Sequence, residues 1–408
     1  MKYWFYLKST VYVEVKKCHV LLYDTETGTY LEFYSEDFKN VILSLLEDDN
    51  LGVICLDDDI CLQKKLNNDI EKVIEAEMGY LQNIEIFPYK PIRLVPILSL
   101  MKDVEKMTNN QTDYISNDLE RYLLNLNIIV NNECNLSCEG CKMYRTQFLC
   151  CSKESYSKSL PVECLNNIFE QIQYFPLKTI NFIGGNIFKY KYFEKIKYLC
   201  EKYNKRINMF CHYQNMDFEC YVPSTHCTLH LMVTPPFKVN IIKTLCNTYE
   251  QLYFHFIVEN IHQYNQIKII SEQYMNDYKH DVRIHPFYNG DNDQFFEKYI
   301  YLKKMDIFSS IISFREILRN KKMNANNFGE LYIYPNGQVR ANENSEVIGD
   351  INKNRLVDII HSEMRLNTAW RKCREDKPCA DCVYQWFCPS PSNYELVMGK
   401  PNLCHIKF

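Results

Sequence analysis

Three cysteines fall within eight residues at "CNLSCEGC", where Cys134, Cys138 and Cys141 follow shortly after the apolar run "LNIIV". Three thiolates on one loop can hold three corners of a metal site. The spacing leaves no fourth cysteine in register, since Cys150 and Cys151 come nine and ten residues after Cys141. Three ligands leave one coordination position open, and an open position is the mark of catalysis rather than of a closed structural site. Two readings fit: zinc with a distant fourth ligand, or an iron–sulfur cluster with one exposed iron. A second group lies in the tail, Cys379-x2-Cys382-x5-Cys388-x15-Cys404, with Cys373 just ahead of it. Four thiols suffice for a closed site, and paired spacing of this kind reads first as a structural zinc ribbon. Between the two groups, "FIGGNIF" places Gly184 and Gly185 at the end of an apolar run, a pattern that also suits a plain tight turn.

The elements around these residues alternate. Apolar strand-like runs occur at 125–130, 179–185, 206–212, 227–233, 252–260 and 281–287, with helical patterns near 162–173, 190–203, 237–249 and 263–277 between most of them. Strand and helix in alternation build parallel βαβ units. Six such strands predict an α/β fold, an open or partial (β/α)6 TIM-like barrel, with ligands gathering at the strands' C-terminal ends. Both "CNLSCEGC" and "GGN" lie just past strand ends. Ahead of this core, "VYVEVKKCHVLLYDTETGTYLEF" predicts a β-hairpin turning at Gly28, and "SEDFKNVILSLLED" a helix capped by Ser35. A short strand at "LGVICL" and a helical stretch near 66–80 complete a small unit, and the proline-containing, polar segment near 84–124 reads as a connector. After about residue 326, "ELYIYPNGQVRANENSEVIGDI" predicts a hairpin with Pro335, Asn336 and Gly337 at its turn, then a short helix and the cysteine-rich tail.

Composition narrows the class. The 408 residues are too many for one ordinary core, and a net charge of -4 with both signs interspersed lacks the basic footprint of a nucleic-acid binder or a peripheral membrane protein. The apolar patch near the N-terminus is too short for a signal peptide, and no uninterrupted apolar stretch reaches membrane-spanning length. A cytoplasmic setting follows as an expectation, in which the clustered members of the 19 cysteines are metal ligands rather than disulfides. The scattered Cys18, Cys55, Cys200, Cys211 and Cys246 read as small buried hydrophobes. The 31 Tyr and 23 Phe read as core filling and compositional bias.

Cys134-x3-Cys138-x2-Cys141 after the first strand of βα units resembles the signature of radical S-adenosylmethionine (radical SAM) enzymes. The resemblance implies a [4Fe–4S] cluster on these three cysteines, with the amino and carboxylate groups of S-adenosylmethionine on its fourth iron. Electron transfer then yields a 5′-deoxyadenosyl radical that abstracts hydrogen from substrate. "FIGGNIF" resembles the family's second motif, which implies that Gly184, Gly185 and Asn186 line the cofactor, joined by Asn260 at the end of "LYFHFIVEN". Two positions depart from the pattern. Asn186 stands where the family has an acidic residue, a loss of charge assistance costing on the order of 1–2 kcal/mol. Gly140 stands where an aromatic residue is usual, which predicts thinner packing near the cluster.

Following a hairpin, the tail resembles the SPASM extension of peptide-modifying members. That implies a second, auxiliary [4Fe–4S] cluster on Cys379, Cys382, Cys388 and Cys404. Asn342 and Ser392 stand about where ligands of a further cluster are expected. The N-terminal unit resembles the winged-helix, leader-binding domains of enzymes that mature ribosomally made peptides, though a plain structural cap fits it too. The expected divisions are 1–90 for leader binding, 91–123 as connector, 124–325 as partial barrel and 326–408 as SPASM-like domain. The implied function is a radical SAM peptide maturase, an oxidoreductase acting on a ribosomally synthesised precursor and fed by a flavodoxin or ferredoxin. The alternative is a catalytically impaired, radical-SAM-like pseudo-enzyme that presents the precursor to a companion maturase. A third reading is a zinc-stabilised protein with no redox role.

Overall fold

A computed structural model describes residues 2–57, 64–93, 119–151, 153, 159–219, 226–275 and 280–406. Most of the expected connector, residues 94–118, lies outside the described residues.

The chain begins with β1 (Lys2–Leu7), β2 (Val11–Lys16), β3 (His19–Asp24) and β4 (Tyr30–Phe33). The helix Glu36–Leu46, β5 (Val53–Asp57), the helix Lys64–Glu75 and β6 (Gly79–Asn83) follow. They form two antiparallel sheets, one in the order β5-β1-β6 and one a β2-β3-β4 meander. The expected hairpin over 11–33 therefore has one strand more. Lys17 turns the chain from β2 into β3 at φ 53°, a left-handed position without the Gly, Asn or Asp that would mark it in sequence. The turn at Gly28, φ 75°, is where the sequence places it. Ser35 caps the first helix by accepting from Phe38 N at 3.5 Å. That helix buries Phe38, Val41, Ile42 and Leu45 in a core shared with Phe5 and Leu22. Each such side chain contributes roughly 1.5–3 kcal/mol.

The central sheet has nine strands in the order β12-β11-β10-β9-β8-β7-β13-β14-β15. Its first six in sequence are β7 (Asn125–Ile129), β8 (Thr179–Ile183), β9 (Ile207–His212), β10 (Cys227–Val233), β11 (Tyr253–Val258) and β12 (Asp281–Pro286). These match the six predicted runs, and each pairs in parallel with the next. The helices Val162–Ile172, Phe193–Lys202, Val239–Thr248 and Ile261–Tyr274 lie between successive strands. One face alternates Leu126, Ile128, Ile180, Phe182, Met209, Leu229, Leu231, Phe254 and Phe256, buried in one core with Ile168, Ile196, Ile242 and Ile267 from those helices. The sheet is mixed α/β and mostly parallel.

The C-terminal hairpin differs from expectation in its place. Its strands β13 (Glu330–Ile333) and β14 (Gln338–Arg340) are antiparallel around Gly337, φ 90°, and β15 (Val347–Asp350) adds a third. Yet β13 also pairs in parallel with β7, so the hairpin extends the central sheet instead of standing apart. A separate core joins Tyr12, Leu21 and Tyr23 to Ile307, Ile312, Ile317, Cys382, Val383, Tyr384 and Phe387, so the two ends of the chain pack on each other.

Among the scattered cysteines, Cys200 and Cys211 are buried, Cys246 is intermediate, and Cys18 and Cys55 are exposed. Cys55 points outward because β5 alternates, with Ile54 and Leu56 taking the inward positions. Among the described residues no helix is long and apolar enough to cross a membrane.

Candidate metal and cofactor site

The loop after β7 is fixed by the strand beside it. Val130 N donates to Ile183 O at 2.8 Å and Gly185 N to Asn131 O at 3.1 Å, which zips the two strand ends together. This contact explains both glycines. A Cβ on Gly184 would lie 2.7 Å from Asn131 Oδ1, and one on Gly185 2.6 Å from Glu133 O. The backbone that carries the cysteines occupies the space that side chains here would take. Asn131 Oδ1 itself is buried without a hydrogen-bond partner.

Cys134, Cys138 and Cys141 line one cleft, together with Leu136, Tyr144, Cys150, Cys151, Lys153, Gly185, His212, Met232, Thr234 and Ile257. Donors already face two of the sulfurs. Cys134 Sγ accepts from Leu136 N at 3.4 Å and from Asn215 Nδ2 at 3.1 Å, and Cys141 Sγ accepts from Lys153 N at 3.3 Å. Burial pushes the Cys138 thiol up to about 11, with Cys141 and Cys134 adding to the rise and Thr234 opposing it. Among the described residues no group of three or more His, Cys, Asp or Glu side chains is gathered as a metal ion requires. The thiols surround a space rather than a point. A donor set of soft sulfurs around an apolar cleft, with N–H groups aimed at the sulfurs, fits a body with several corners such as a cubane cluster.

Gly140 does not leave the packing thin. A Cβ there would lie 2.7 Å from Phe287 Cζ and would overlap the Tyr144 ring, because these two aromatics meet edge to face at 4.6 Å over it. Residues from one helical turn on and from beyond β12 supply the bulk expected at position 140.

Of the remaining expected cofactor residues, Gly185 alone lines the cleft. Asn186 is 7% exposed; its Oδ1 accepts from Phe188 N at 3.0 Å and its carbonyl from Asn131 Nδ2 at 2.8 Å. It thereby caps the short helical turn Ile187–Lys189. Asn260 is exposed and caps the helix Ile261–Tyr274, accepting from Gln263 N at 3.0 Å.

The cleft also holds residues that sequence reasoning passed over. His212 ends β9 and sets Nε2 3.0 Å from Thr234 Oγ1, beside Cys138. Burial, then Lys238, lowers the His212 pKa to about 4, so the ring is neutral near pH 7. Its position at a strand's C-terminal end was the available signal. The larger omission is the sheet's other face. Asn208 Nδ2 donates to Asn181 Oδ1 at 2.8 Å, and Asn181 Nδ2 to Asn127 Oδ1 at 2.6 Å. His230 Nδ1 lies 2.9 Å from His255 Nε2, and His255 Nδ1 lies 2.8 Å from His285 Nε2. Alternate residues toward the N-terminal ends of these strands are thus polar, a period-2 pattern that was readable once the strands were assigned.

In the tail, burial raises the thiol pKa of Cys382, Cys388 and Cys404, taking the first two to about 12, and the nearby Cys379 adds to the rise in all three. Arg374 reaches among them, 2.7 Å from Glu395 and 4.0 Å from Cys379 Sγ. Cys404 is held by a strand bridge to Leu302. Where a further cluster is expected, amides satisfy each other: Asn342 Nδ2 donates to Asn327 Oδ1 and Asn393 Oδ1, both at 2.9 Å. Ser392 forms a capping box with Glu395 at the start of the helix Asn393–Met398. Cys373 lines the same cleft as Asn342 and Cys379.

No protein-family model matches the chain, and no curated protein matches it at significance. Among solved structures it is similar to Streptococcus suis SuiB bound to S-adenosylmethionine, at 12% identity and a TM-score of 0.43, covering 99% of each chain. It is similar to SuiB bound to precursor peptide SuiA at 11% identity and TM-score 0.45, again over 99% of each chain. Similarity to native anSMEcpe with bound AdoMet, at 12% identity and TM-score 0.45, covers 65% of this chain and 88% of that one.

Proposed function

We propose that this chain is a radical SAM peptide maturase of SPASM type, acting in the cytoplasm on a ribosomally made precursor peptide with electrons from a flavodoxin or ferredoxin. One observation carries the reading: Cys134, Cys138 and Cys141 line a single cleft at the C-terminal ends of the parallel strands, against Gly185. These three thiols would hold a [4Fe–4S] cluster, with Gly184, Gly185, Asn186 and Asn260 on the cofactor side. When bound, the cluster supplies the single electron that splits S-adenosylmethionine into methionine and a 5′-deoxyadenosyl radical. Leu136 N, Lys153 N and Asn215 Nδ2 donate to the sulfurs that carry the charge. Tyr144, Met232 and Ile257 give the cleft an apolar wall that keeps water from a reactive radical. Cys379, Cys382, Cys388 and Cys404 would hold the auxiliary cluster, and residues 1–90 would bind the leader.

Anaerobic reconstitution followed by dithionite and S-adenosylmethionine tests the reading: 5′-deoxyadenosine forms in the wild-type chain and not in Cys138→Ala. Iron content distinguishes two clusters, about eight irons, from one cluster with a tail zinc, about four. The impaired-partner reading has one observation in its favour, that Asn186 brings no carboxylate and spends its side chain on Phe188 N. It requires precursor binding with no 5′-deoxyadenosine.

A further inference from the structure

The segment after the first cysteine group returns to it. Lys153 N donates to Cys141 Sγ at 3.3 Å and Lys153 Nζ to Leu136 O at 2.6 Å, which ties the chain back onto the loop it has just left. Cys150 and Cys151 are carried with it, so five thiols line the cleft that holds Cys134, Cys138 and Cys141. An open-cornered cluster uses three. The extra two are not equivalent. Cys150 is 2% exposed and its thiol donates to Cys151 O at 3.2 Å, which commits it to the loop's own backbone. Cys151 is only partly buried and packs beside Cys138 against the same apolar group. Next in the chain to Gly185, Asn186 offers an incoming cofactor no carboxylate.

Resting on the function proposed above, we infer that Cys151 is the fourth ligand of the cluster held by Cys134, Cys138 and Cys141, and that S-adenosylmethionine must displace it to bind. The exchange is a ligand substitution without electron transfer. The Cys151 thiolate leaves iron and takes up the proton that the cofactor's ammonium gives up, and the freed amino nitrogen and a carboxylate oxygen of the cofactor take its place. Two consequences follow. The cofactor's apparent affinity is lowered by the fraction of protein in the self-capped state, and the fourth iron, held by protein, resists oxidative loss.

The test uses the full chain reconstituted anaerobically, as wild type, Cys151→Ala, Cys151→Ser and Cys150→Ala. S-adenosylmethionine affinity is measured by equilibrium dialysis, and the [3Fe–4S] paramagnetic signal is measured after mild ferricyanide oxidation. Both Cys151 variants are expected to bind the cofactor about tenfold more tightly or better, and to give a strong three-iron signal where wild type and Cys150→Ala give little. Equal affinities and equal three-iron signals across all four proteins would overturn the inference. A wild-type chain that binds no iron at Cys134, Cys138 and Cys141 would instead overturn the function on which it rests.

Discussion

Gly185 shows how a glycine can have a packing reason that its sequence signal does not reveal. Its sequence signal was a pair of glycines at a strand end, consistent with either a turn or a cofactor. In the fold its missing side chain is where the Glu133 carbonyl sits, 2.6 Å from a would-be Cβ. Gly185→Ala is therefore expected to cost about 1–3 kcal/mol by overpacking and to push the Cys134 loop outward. Urea denaturation of the metal-free chain would measure the first effect, and reduced iron uptake the second. The thiols were legible because their types and spacing lie within a few residues of one another. Cys151, His212 and Thr234 were not, because a returning loop and the neighbouring strands β9 and β10 bring them to the cleft from separate stretches of chain.

Elements were legible where periodicity was strong. The six parallel strands and four intervening helices fell where apolar runs and stripes predicted them. β1 and β6 were missed: "KYWFYL" is apolar without alternation, and "GYLQN" is short and half polar, so neither carries a pattern until it has a partner. The imidazole row across β10, β11 and β12 gives the element scale its own test. Three neutral rings satisfy its two N···N contacts through one consistent run of tautomers. Burial, reinforced by Arg283, lowers His230 and His285 to about 4, and burial with both neighbouring histidines lowers His255 to about 2. Folded values lie below the unfolded value of about 6.5, so the unfolded chain binds more protons in between. The contribution is complete above about pH 6.5 and is lost as pH falls toward the folded values. Urea midpoints are expected to drop between pH 7 and 5, and His255→Asn to flatten that slope. His19 and His212 titrate in the same direction and are common to both proteins, so the difference between them isolates the row.

At the scale of the molecule, the least legible feature was contact between its ends, since nothing in a sequence marks which distant apolar faces will meet. Tyr23, fully buried, accepts from Ile312 N at 2.7 Å and packs edge to face on Phe387 at 4.9 Å. Lys304 bonds Glu32 at 2.7 Å across the same seam. Tyr23→Ala is expected to cost about 3–5 kcal/mol and to speed iodoacetamide labelling of Cys382, which shares that core, in the metal-free chain. Deleting residues 1–90 would strip the same seam. Precursor binding by the N-terminal unit is thus better tested by substitutions at exposed positions of its other sheet, such as Cys55 on β5 and Tyr80 on β6, which lie outside the seam.

The strand that would have to meet β12 to close a barrel, β7, is already taken by β13. The tail that follows β13 then reaches around to the other lip. Cys404 bridges Leu302, Lys400 bonds Asp293 at 3.0 Å, and Tyr394 packs on Phe296 at 5.6 Å, all just beyond β12. The last stretch of chain therefore works as a brace between the two margins of the open sheet, so the separation of β12 from β13 is set by the tail's own fold.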